Sequence, residues 1–531
     1  MSATTTARRH RERLIAAALA AAAALVYANG LANGFVWDDA EIIVGSSWTR
    51  DPSRIGEALL SPDEVKPYYR PLTRISYTLD HALFGLRPAG FHAVGVALHA
   101  ANVVALFSLA LLVSGRRSAA AVAALLLAVH PIHAEAVDFV SARNNLLALL
   151  FSLLALIFQA RALRGEGRGW AWASGGAFFL GLLGKEQAAM VLPFLAAAAF
   201  LPLLPWRRPA AEQLRRLAPH GLALAAYLVL RSIALGGLTG TSTGLLSGLP
   251  GRLATDLEIV PRYLGKVLLP VRLSNLYAVP GGTPPILLAL AWIAIAVAVA
   301  LLLRRPRPLT VAGLAWLGLN LLPILNLVPI PTTHPMADRY FYVPAAGLWL
   351  IAADLATRAW ERLPWKRSLI ALGAAVAVAL GATTIVRNLD WRDDVSLFGS
   401  AVAAEPGSVS AHFNLGNALR DLHDLAGARA EWERVIEADP SHPGALTQLG
   451  TAAAIEGDLA RAESLYRRAL AADPKAPLAL FNLARVCERT SRPGEALELY
   501  RSFLATGDTP YREYRAAAEE RLRALARAPA R

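Results

Sequence analysis

Long apolar runs separated by short polar segments fill the chain up to about Arg387, where the pattern changes. About 20 apolar residues are enough to cross a bilayer as an α-helix, so these runs predict a multi-pass membrane protein. The apolar stretch 253–271 contains four charged side chains, and we expect it to lie as a helix at the membrane interface within an outer loop, 236–285. We predict about eleven spans, near 14–32, 91–113, 118–130, 145–161, 170–184, 188–205, 218–235, 286–303, 309–330, 341–357 and 368–386.

The more polar C-terminal part is an internal repeat of 34 residues. A helix–turn–helix period of this length is that of the tetratricopeptide repeat, in which small residues let paired helices approach and aromatic residues fill the gap between repeats. We predict repeats at 407–440, 441–474 and 475–508, followed by a capping helix at 510–525. A proline, a small residue and an aromatic residue recur, at Pro406, Pro440 and Pro474; Gly416, Gly450 and Ala484; and Trp432, Tyr466 and Tyr500.

The predicted fold class is therefore all-α, with a polytopic helix bundle over residues 1–398 and a tetratricopeptide-repeat α-solenoid over residues 399–531. Residues 401–531 hold 17 Lys+Arg and 18 Asp+Glu, so the formal net charge of +13 belongs to the membrane part. Basic residues favour cytoplasmic loops, which predicts a cytoplasmic N-terminus, with the loop 33–90 and the repeats outside. This distribution argues against a nucleic-acid partner, which needs a basic face on a soluble domain. The single Cys487 excludes an internal disulfide framework.

Five polar clusters fall on the outer face in this topology. Ionisable groups at membrane depth are functional candidates by default, and together these clusters predict an outer cavity with carboxylates, histidines and fixed cations. Each cluster also has a plain structural interpretation, as a solvated helix end, a turn anchor or a local ion pair. The clusters are Asp38 and Asp39; Tyr69 and Arg70; His130, His133 and Glu135; Lys185 and Glu186; and Asp338, Arg339 and Tyr340.

These residue types suit glycosyl transfer from a lipid phosphate. Asp38 or Asp39 can act as the base on an acceptor hydroxyl. The leaving phosphate is already anionic and needs positive charge, which Arg70, Lys185 and Arg339 can supply. We expect no obligate cofactor or metal, although the two histidines leave a divalent metal possible. The sequence has no glycine-rich nucleotide motif that would indicate a soluble nucleotide-sugar donor.

Five motifs in order make the chain similar to a known family. The motifs are Phe35–Asp39, Tyr69–Thr73, His130–Glu135, Gly184–Glu186 and Ala337–Tyr340, and a 34-residue repeat array follows them. This set resembles the transmembrane and tetratricopeptide-repeat-containing protein O-mannosyltransferases and, more broadly, the GT-C glycosyltransferases.

The resemblance implies an inverting transfer of a sugar, mannose favoured, from a lipid-phosphate donor to Ser or Thr hydroxyls of proteins. It implies that Asp38 and Asp39 carry catalysis, and it makes the other motif residues candidates for the donor site or its cavity. An Ala- and Arg-rich composition suggests a bacterial chain. We therefore expect a polyprenyl phosphate such as undecaprenyl phosphate as the carrier, in the inner membrane, with the repeats extracytoplasmic.

The repeats suggest how an acceptor is chosen. Asn414, Gln448 and Asn482 occupy one repeat position, and a ladder of side-chain amides can pair with an extended peptide backbone of any sequence. The acceptor polypeptide is thus the expected partner of the repeats. Two alternatives stay open: a non-enzymatic membrane scaffold for envelope or polysaccharide assembly, and an enzyme that glycosylates lipid or polysaccharide.

Overall fold

In the computed structural model of the chain, every regular element among the described residues is helical. The chain divides into two compact units, Met1–Leu397 and Phe398–Arg531. The structure describes residues 3–63, 68–167, 169–200, 209–237, 249–278, 283–325, 335–506 and 512–527.

The first unit is a bundle of apolar helices joined by short polar turns. Prolines at the first turn begin several of them, as expected for a residue whose φ already suits a helix. The helices are α1 (Ala3–Val26), α2 (Pro71–Phe84), α3 (Pro88–Ser114), α4 (Arg117–Val129), α5 (Ala134–Asp138), α6 (Arg143–Leu163), α7 (Gly169–Gly184), α8 (Val191–Phe200), α9 (Ala210–Arg215), α10 (Ala218–Leu235), α11 (Leu249–Leu268), α12 (Pro285–Leu303), α13 (Pro308–Leu321), α14 (Tyr342–Arg362), α15 (Lys366–Asn388) and α16 (Asp394–Ala404), the last of which crosses the unit boundary.

The first unit has the helices of an integral membrane protein. Each predicted span overlaps a helix, but the count of about eleven is not confirmed, because several of these helices are short or carry charges. A further bent pair, Arg117–Val129 with Pro131–Asp138, turns by 55°. Within the described residues, six helical stretches are long and apolar enough to cross a membrane: Pro88–Ser114, Val140–Leu163, Ala210–Leu235, Pro285–Leu303, Asp338–Arg362 and Lys366–Trp391.

Two facing glycines let α13 and α14 cross closely. A Cβ added at Gly313 would lie 2.5 Å from the carbonyl oxygen of Gly347, and one added at Gly347 would lie 2.5 Å from that of Gly313. Both distances are far below van der Waals contact, so only glycine permits this crossing. The crossing holds α14, whose N-terminal end follows the Asp338–Phe341 turn.

The second unit is a stack of helix pairs with the predicted period. Its repeated aromatic residues pack against the small residue of their own helix pair: a Cβ at Gly416 would meet the ring of Trp432 at 2.5 Å, and one at Gly450 the ring of Tyr466 at 2.7 Å. The predicted capping helix starts at Pro510, which is outside the described residues. The helices are α17 (Val409–Asp421), α18 (Leu425–Ala438), α19 (Pro443–Glu456), α20 (Leu459–Ala472), α21 (Pro477–Arg489), α22 (Pro493–Ala505) and α23 (Arg512–Arg527).

Candidate active site

A cavity of about 340 Å³ lies in the first unit between the first polar loop, the N-terminal end of α6, the α7–α8 junction and the Asp338–Phe341 turn. It brings together residues from four of the five predicted clusters. Its polar lining includes Asp38, Arg70, Asn145, Lys185, Glu186, Arg339 and Tyr340.

Asp38 reaches this cavity because the residue before it has an unusual backbone. Trp37 has φ +52°, a left-handed conformation that costs a non-glycine residue about 1–3 kcal/mol unless its surroundings hold it. Its backbone N–H donates to Asp394 Oδ1 at 2.7 Å, and its ring stacks on Phe139 at 5.5 Å. Phe139 stacks in turn on the buried Trp391. These contacts fix the turn from which Asp38 enters the cavity.

Asp39 is fully buried and does not line the cavity. Ser141 donates its backbone N–H and its hydroxyl to Asp39 Oδ1, at 2.8 and 2.5 Å, and the backbone N–H of Val36 donates to Oδ2 at 3.2 Å. Burial raises the pKa of Asp39 to about 7, although these hydrogen bonds favour the charged form. Its carboxyl group therefore ties the first loop to the turn that precedes α6.

Arg70 and Glu186 form a two-point ion pair at the cavity wall. Arg70 donates from its Nε to Glu186 Oε2 at 3.2 Å and from a terminal nitrogen to Oε1 at 2.8 Å. The guanidinium also lies over the ring of Tyr68, 4.5 Å from its centre. This pair links the start of α2 to the turn that precedes α8. Arg70 therefore joins two distant segments of the chain and does more than anchor its own turn.

Lys185 is the buried cation of the site. Its Nζ donates to the amide oxygen Oδ1 of Asn145 at 2.6 Å and lies 5.5 Å from the ring centre of Tyr340. Burial and then the nearby Arg70 lower the pKa of Lys185 from 10.5 to about 7. A buried ammonium whose hydrogen bond goes to a neutral amide is a natural counter-charge for an anionic ligand.

Arg339 is held by the buried Glu135. The backbone N–H of Arg339 donates to Glu135 Oε2 at 2.9 Å, and its guanidinium donates to Oε1. The guanidinium also lies over the rings of Tyr340 and Trp37, at 4.8 and 5.2 Å from their centres. Glu135 thus positions Arg339 at the cavity and does not line the cavity itself.

The two predicted histidines lie apart from the cavity, among aromatic side chains of the bundle. The indole N–H of Trp349 donates to His133 Nε2 at 3.1 Å. His130 donates from Nε2 to the Val267 carbonyl at 3.0 Å and accepts the backbone N–H of Ile132 at Nδ1. With Glu135 on Arg339, this cluster does not converge on one point, and no three His, Cys, Asp or Glu side chains in the described ranges could hold a metal ion.

Two further predicted residues support the wall from behind. Tyr69 is buried and donates its hydroxyl to the Leu59 carbonyl at 2.9 Å, and burial raises its pKa to about 12. Asp338 is buried and accepts the Tyr277 hydroxyl at 2.7 Å.

The sequence analysis missed the polar residues at the start of α6. Ser141 holds Asp39, Asn145 holds Lys185, and Asn144 lines the cavity. The signal that could have found them is the run Ser141–Asn145, five residues with four polar side chains directly before an apolar helix.

In the repeat unit, the predicted amide ladder is half-buried and partly engaged. Asn414 donates to the Ser410 carbonyl of its own helix at 2.9 Å, and Asn482 donates to the Thr451 hydroxyl of the preceding repeat at 3.2 Å. Gln448 is half-buried. A second cavity, of about 560 Å³, lies between α21, α22 and α23 and is lined by Phe481, Arg485, Glu488, Arg489, Tyr500, Glu513, Tyr514, Ala517 and Arg521.

Comparisons with known proteins find relatives for both units. A tetratricopeptide-repeat family profile matches residues 386–443 and 447–510. The chain is 27% identical over 473 residues to protein O-mannosyl-transferase TMTC4 of Homo sapiens, covering 74% of this chain and 62% of that protein. It is 26% identical over 432 residues to protein O-mannosyl-transferase F38B6.6 of Caenorhabditis elegans, covering 74% of this chain and 58% of that protein. The predicted resemblance to the protein O-mannosyl-transferases is confirmed.

The chain spans about three fifths of the length of these curated O-mannosyl-transferase relatives. Among solved structures, it is similar to the archaeal oligosaccharyltransferase AglB from Archaeoglobus fulgidus, with a TM-score of 0.42 and 13% identity. That likeness covers 79% of this chain and 60% of AglB.

Proposed function

We propose that the chain is a membrane glycosyltransferase that moves a sugar, mannose favoured, from a polyprenyl-phosphate donor to Ser or Thr hydroxyls of proteins. The observation that carries the proposal is one cavity that combines the Asp38 carboxylate with the basic side chains of Arg70, Lys185 and Arg339. The relatives named above are protein O-mannosyl-transferases, which supports the same reaction class. We place the reaction on the extracytoplasmic side of a bacterial inner membrane.

Asp38 acts as the general base in this proposal. The acceptor hydroxyl gives its proton to Asp38 while its oxygen attacks the anomeric carbon of the donor sugar. The bond between that carbon and the phosphate oxygen breaks, and the polyprenyl phosphate leaves with the bonding electrons. The configuration at the anomeric carbon inverts. Asp39 is enclosed by its three hydrogen-bond donors, so we assign it to holding the loop rather than to proton transfer.

The three cations stabilise the charge that develops on the leaving phosphate. Preorganised donors in a site with little water are worth more than the same groups in bulk solvent. Arg70 and Arg339 each keep one carboxylate partner, Glu186 and Glu135 respectively. The ammonium group of Lys185 donates to the neutral amide oxygen of Asn145, so a bound phosphate would give it a negatively charged partner.

The acceptor polypeptide is bound by the repeat unit in this proposal. Asn414, Gln448 and Asn482 remain candidates for contacts to its backbone, since a side-chain amide keeps an acceptor oxygen when its nitrogen is engaged. The second cavity, with Arg485, Arg489 and three aromatic rings, offers another surface for the same partner.

The test is transfer of radiolabelled sugar from a polyprenyl-phosphate donor to protein in membranes that carry the parent chain, Asp38→Asn or Asp39→Asn. We expect Asp38→Asn to lose about 10²–10⁴ of the rate, which is the usual contribution of a general base. The matched control is Glu41→Gln, which changes the third, exposed acid of the same stretch and should transfer normally.

Equal labelling by the parent, all three variants and empty membranes, across several sugars, would favour the scaffold alternative. Label found in lipid or polysaccharide, and none in protein, would change the acceptor class but keep the enzyme.

A further inference from the structure

The amphipathic helix α11 packs one apolar face against the first unit. Ile259, Tyr263 and Val267 are four residues apart, lie on one face and are buried. Leu253 and Leu257, nearer the start of the helix, are exposed. A helix that lies at the membrane interface needs only an amphipathic pattern. In α11, the buried face also packs against specific residues of the first unit.

One side chain of that face satisfies both backbone polar groups of Ala337. The Tyr263 hydroxyl donates to the Ala337 carbonyl at 2.8 Å and accepts the Ala337 N–H at 3.2 Å. The Tyr263 ring stacks on Phe341 with 4.9 Å between centres and 18° between planes. Tyr263 thus contacts both sides of the turn that contains Arg339.

Neighbouring contacts fix the rest of this turn. The Tyr277 hydroxyl donates to Asp338, and Glu135 accepts the backbone N–H and the guanidinium of Arg339. The three consecutive residues 337, 338 and 339 are therefore held by three different segments of the chain. Such a convergence fixes the place of the one residue among them that lines the cavity, Arg339.

We propose that Tyr263 is a positioning residue that sets the Arg339 guanidinium at the donor phosphate. This inference rests on the proposed function in taking the phosphate of a polyprenyl phosphate as the ligand of the cavity. Tyr263 does not line the cavity and acts through the Ala337 backbone. A group displaced by a fraction of an ångström loses much of its interaction with a bound charge, because the hydrogen-bond geometry is steep.

The test uses Tyr263→Phe, which keeps the ring and its stacking and removes the hydroxyl. The probes are undecaprenyl phosphate and the uncharged undecaprenol, bound to purified full-length chain in detergent. We expect affinity for undecaprenyl phosphate to fall about tenfold while affinity for undecaprenol stays unchanged. If Tyr263 had only a structural role, its substitution would lower the affinity for both lipids to the same extent.

The matched control is Trp292→Phe. Trp292, on α12, donates its indole N–H to the Leu257 carbonyl of α11 at 2.9 Å. This hydrogen bond also holds α11, but it does not involve the turn that contains Arg339. We expect this variant to bind both lipids as the parent does.

A second measurement is hydrogen exchange of the peptide 335–341. The Ala337 amide loses its acceptor in Tyr263→Phe and should exchange faster there, but not in Trp292→Phe. Faster exchange with a loss confined to the phosphate lipid supports the proposal. Unchanged exchange, unchanged phosphate-lipid affinity or equal loss for both lipids overturns it. Because neither readout needs sugar transfer, a failure of the proposed reaction is recognised separately.

Discussion

The buried Lys185 predicts a steep pH dependence of donor use. Burial and the nearby Arg70 lower the pKa of its ammonium group to about 7, so about half of the molecules carry this charge at neutral pH. The pKa is lowered, so the charge is present below about pH 7 and is lost as the pH rises through that value. Lys185→Arg keeps a charge throughout this range, because a guanidinium stays protonated in proteins.

The size of the effect follows from the titration. The ratio kcat/KM for the donor reports the free enzyme, in which no phosphate yet favours the charged form. From pH 7 to pH 9 the protonated fraction of a group with this pKa falls by about 50-fold, and kcat/KM should fall with it. Lys185→Arg should lack this decline, and Lys185→Met should be slow and flat over the same range.

The assay is initial-rate sugar transfer at subsaturating donor, in purified chain reconstituted into lipid discs, at half-unit pH intervals. Asp39 also has a pKa of about 7, but its titration is the same in the parent and in Lys185→Arg, so the difference between the two profiles isolates the lysine. An active parent with a flat profile between pH 7 and 9 would refute the reasoning. So would a decline of equal slope in Lys185→Arg.

Three further substitutions have directional outcomes. Asp39→Asn replaces the carboxylate that accepts the N–H groups of Val36 and Ser141 with a neutral amide, so one donor meets an NH₂ group or both meet a weaker acceptor. We expect the free energy of unfolding, followed by thermal denaturation in detergent, to fall by about 1–3 kcal/mol. An unchanged midpoint would contradict this. Asp80→Leu leaves the buried Arg143 without its ion-pair partner and should lower the free energy of unfolding by about 3–5 kcal/mol. The double variant Asp80→Leu with Arg143→Met removes both charges and should recover part of that stability; no recovery would argue against the ion pair as the cause. Asn414→Ala combined with Asn482→Ala should weaken acceptor-peptide binding and leave donor-lipid hydrolysis unchanged; equal transfer rates in this variant and the parent would argue against the amide ladder.

Local patterns in the sequence were sufficient for the fold class and for the choice of motifs. Apolar run length is a local property, and so is a 34-residue period, which is why the membrane helices and the repeat solenoid could be predicted. Length alone does not determine the number of spans, because apolar segments that are short or charged, such as α8 and α11, fit both a spanning and a non-spanning helix.

Only the tertiary structure separated the two adjacent aspartates. Asp38 and Asp39 are equivalent in composition, and the difference depends on the left-handed turn at Trp37 and on Ser141, more than 100 residues away. The same holds for the ion pairs Arg70–Glu186 and Glu135–Arg339, whose members are 116 and 204 residues apart. Their proximity follows from how helices pack, which no local pattern encodes.

The histidines show the same limit in reverse. His130 and His133 lie three residues apart in one polar motif, and the sequence predicts both at the cavity. Helix packing instead turns them towards Val267 and Trp349. The sequence alone determined which residue types are present and that they belong to membrane-helix ends. The packing of the helices decided which side chains face the cavity and which support it, because side-chain direction depends on contacts made across the whole unit.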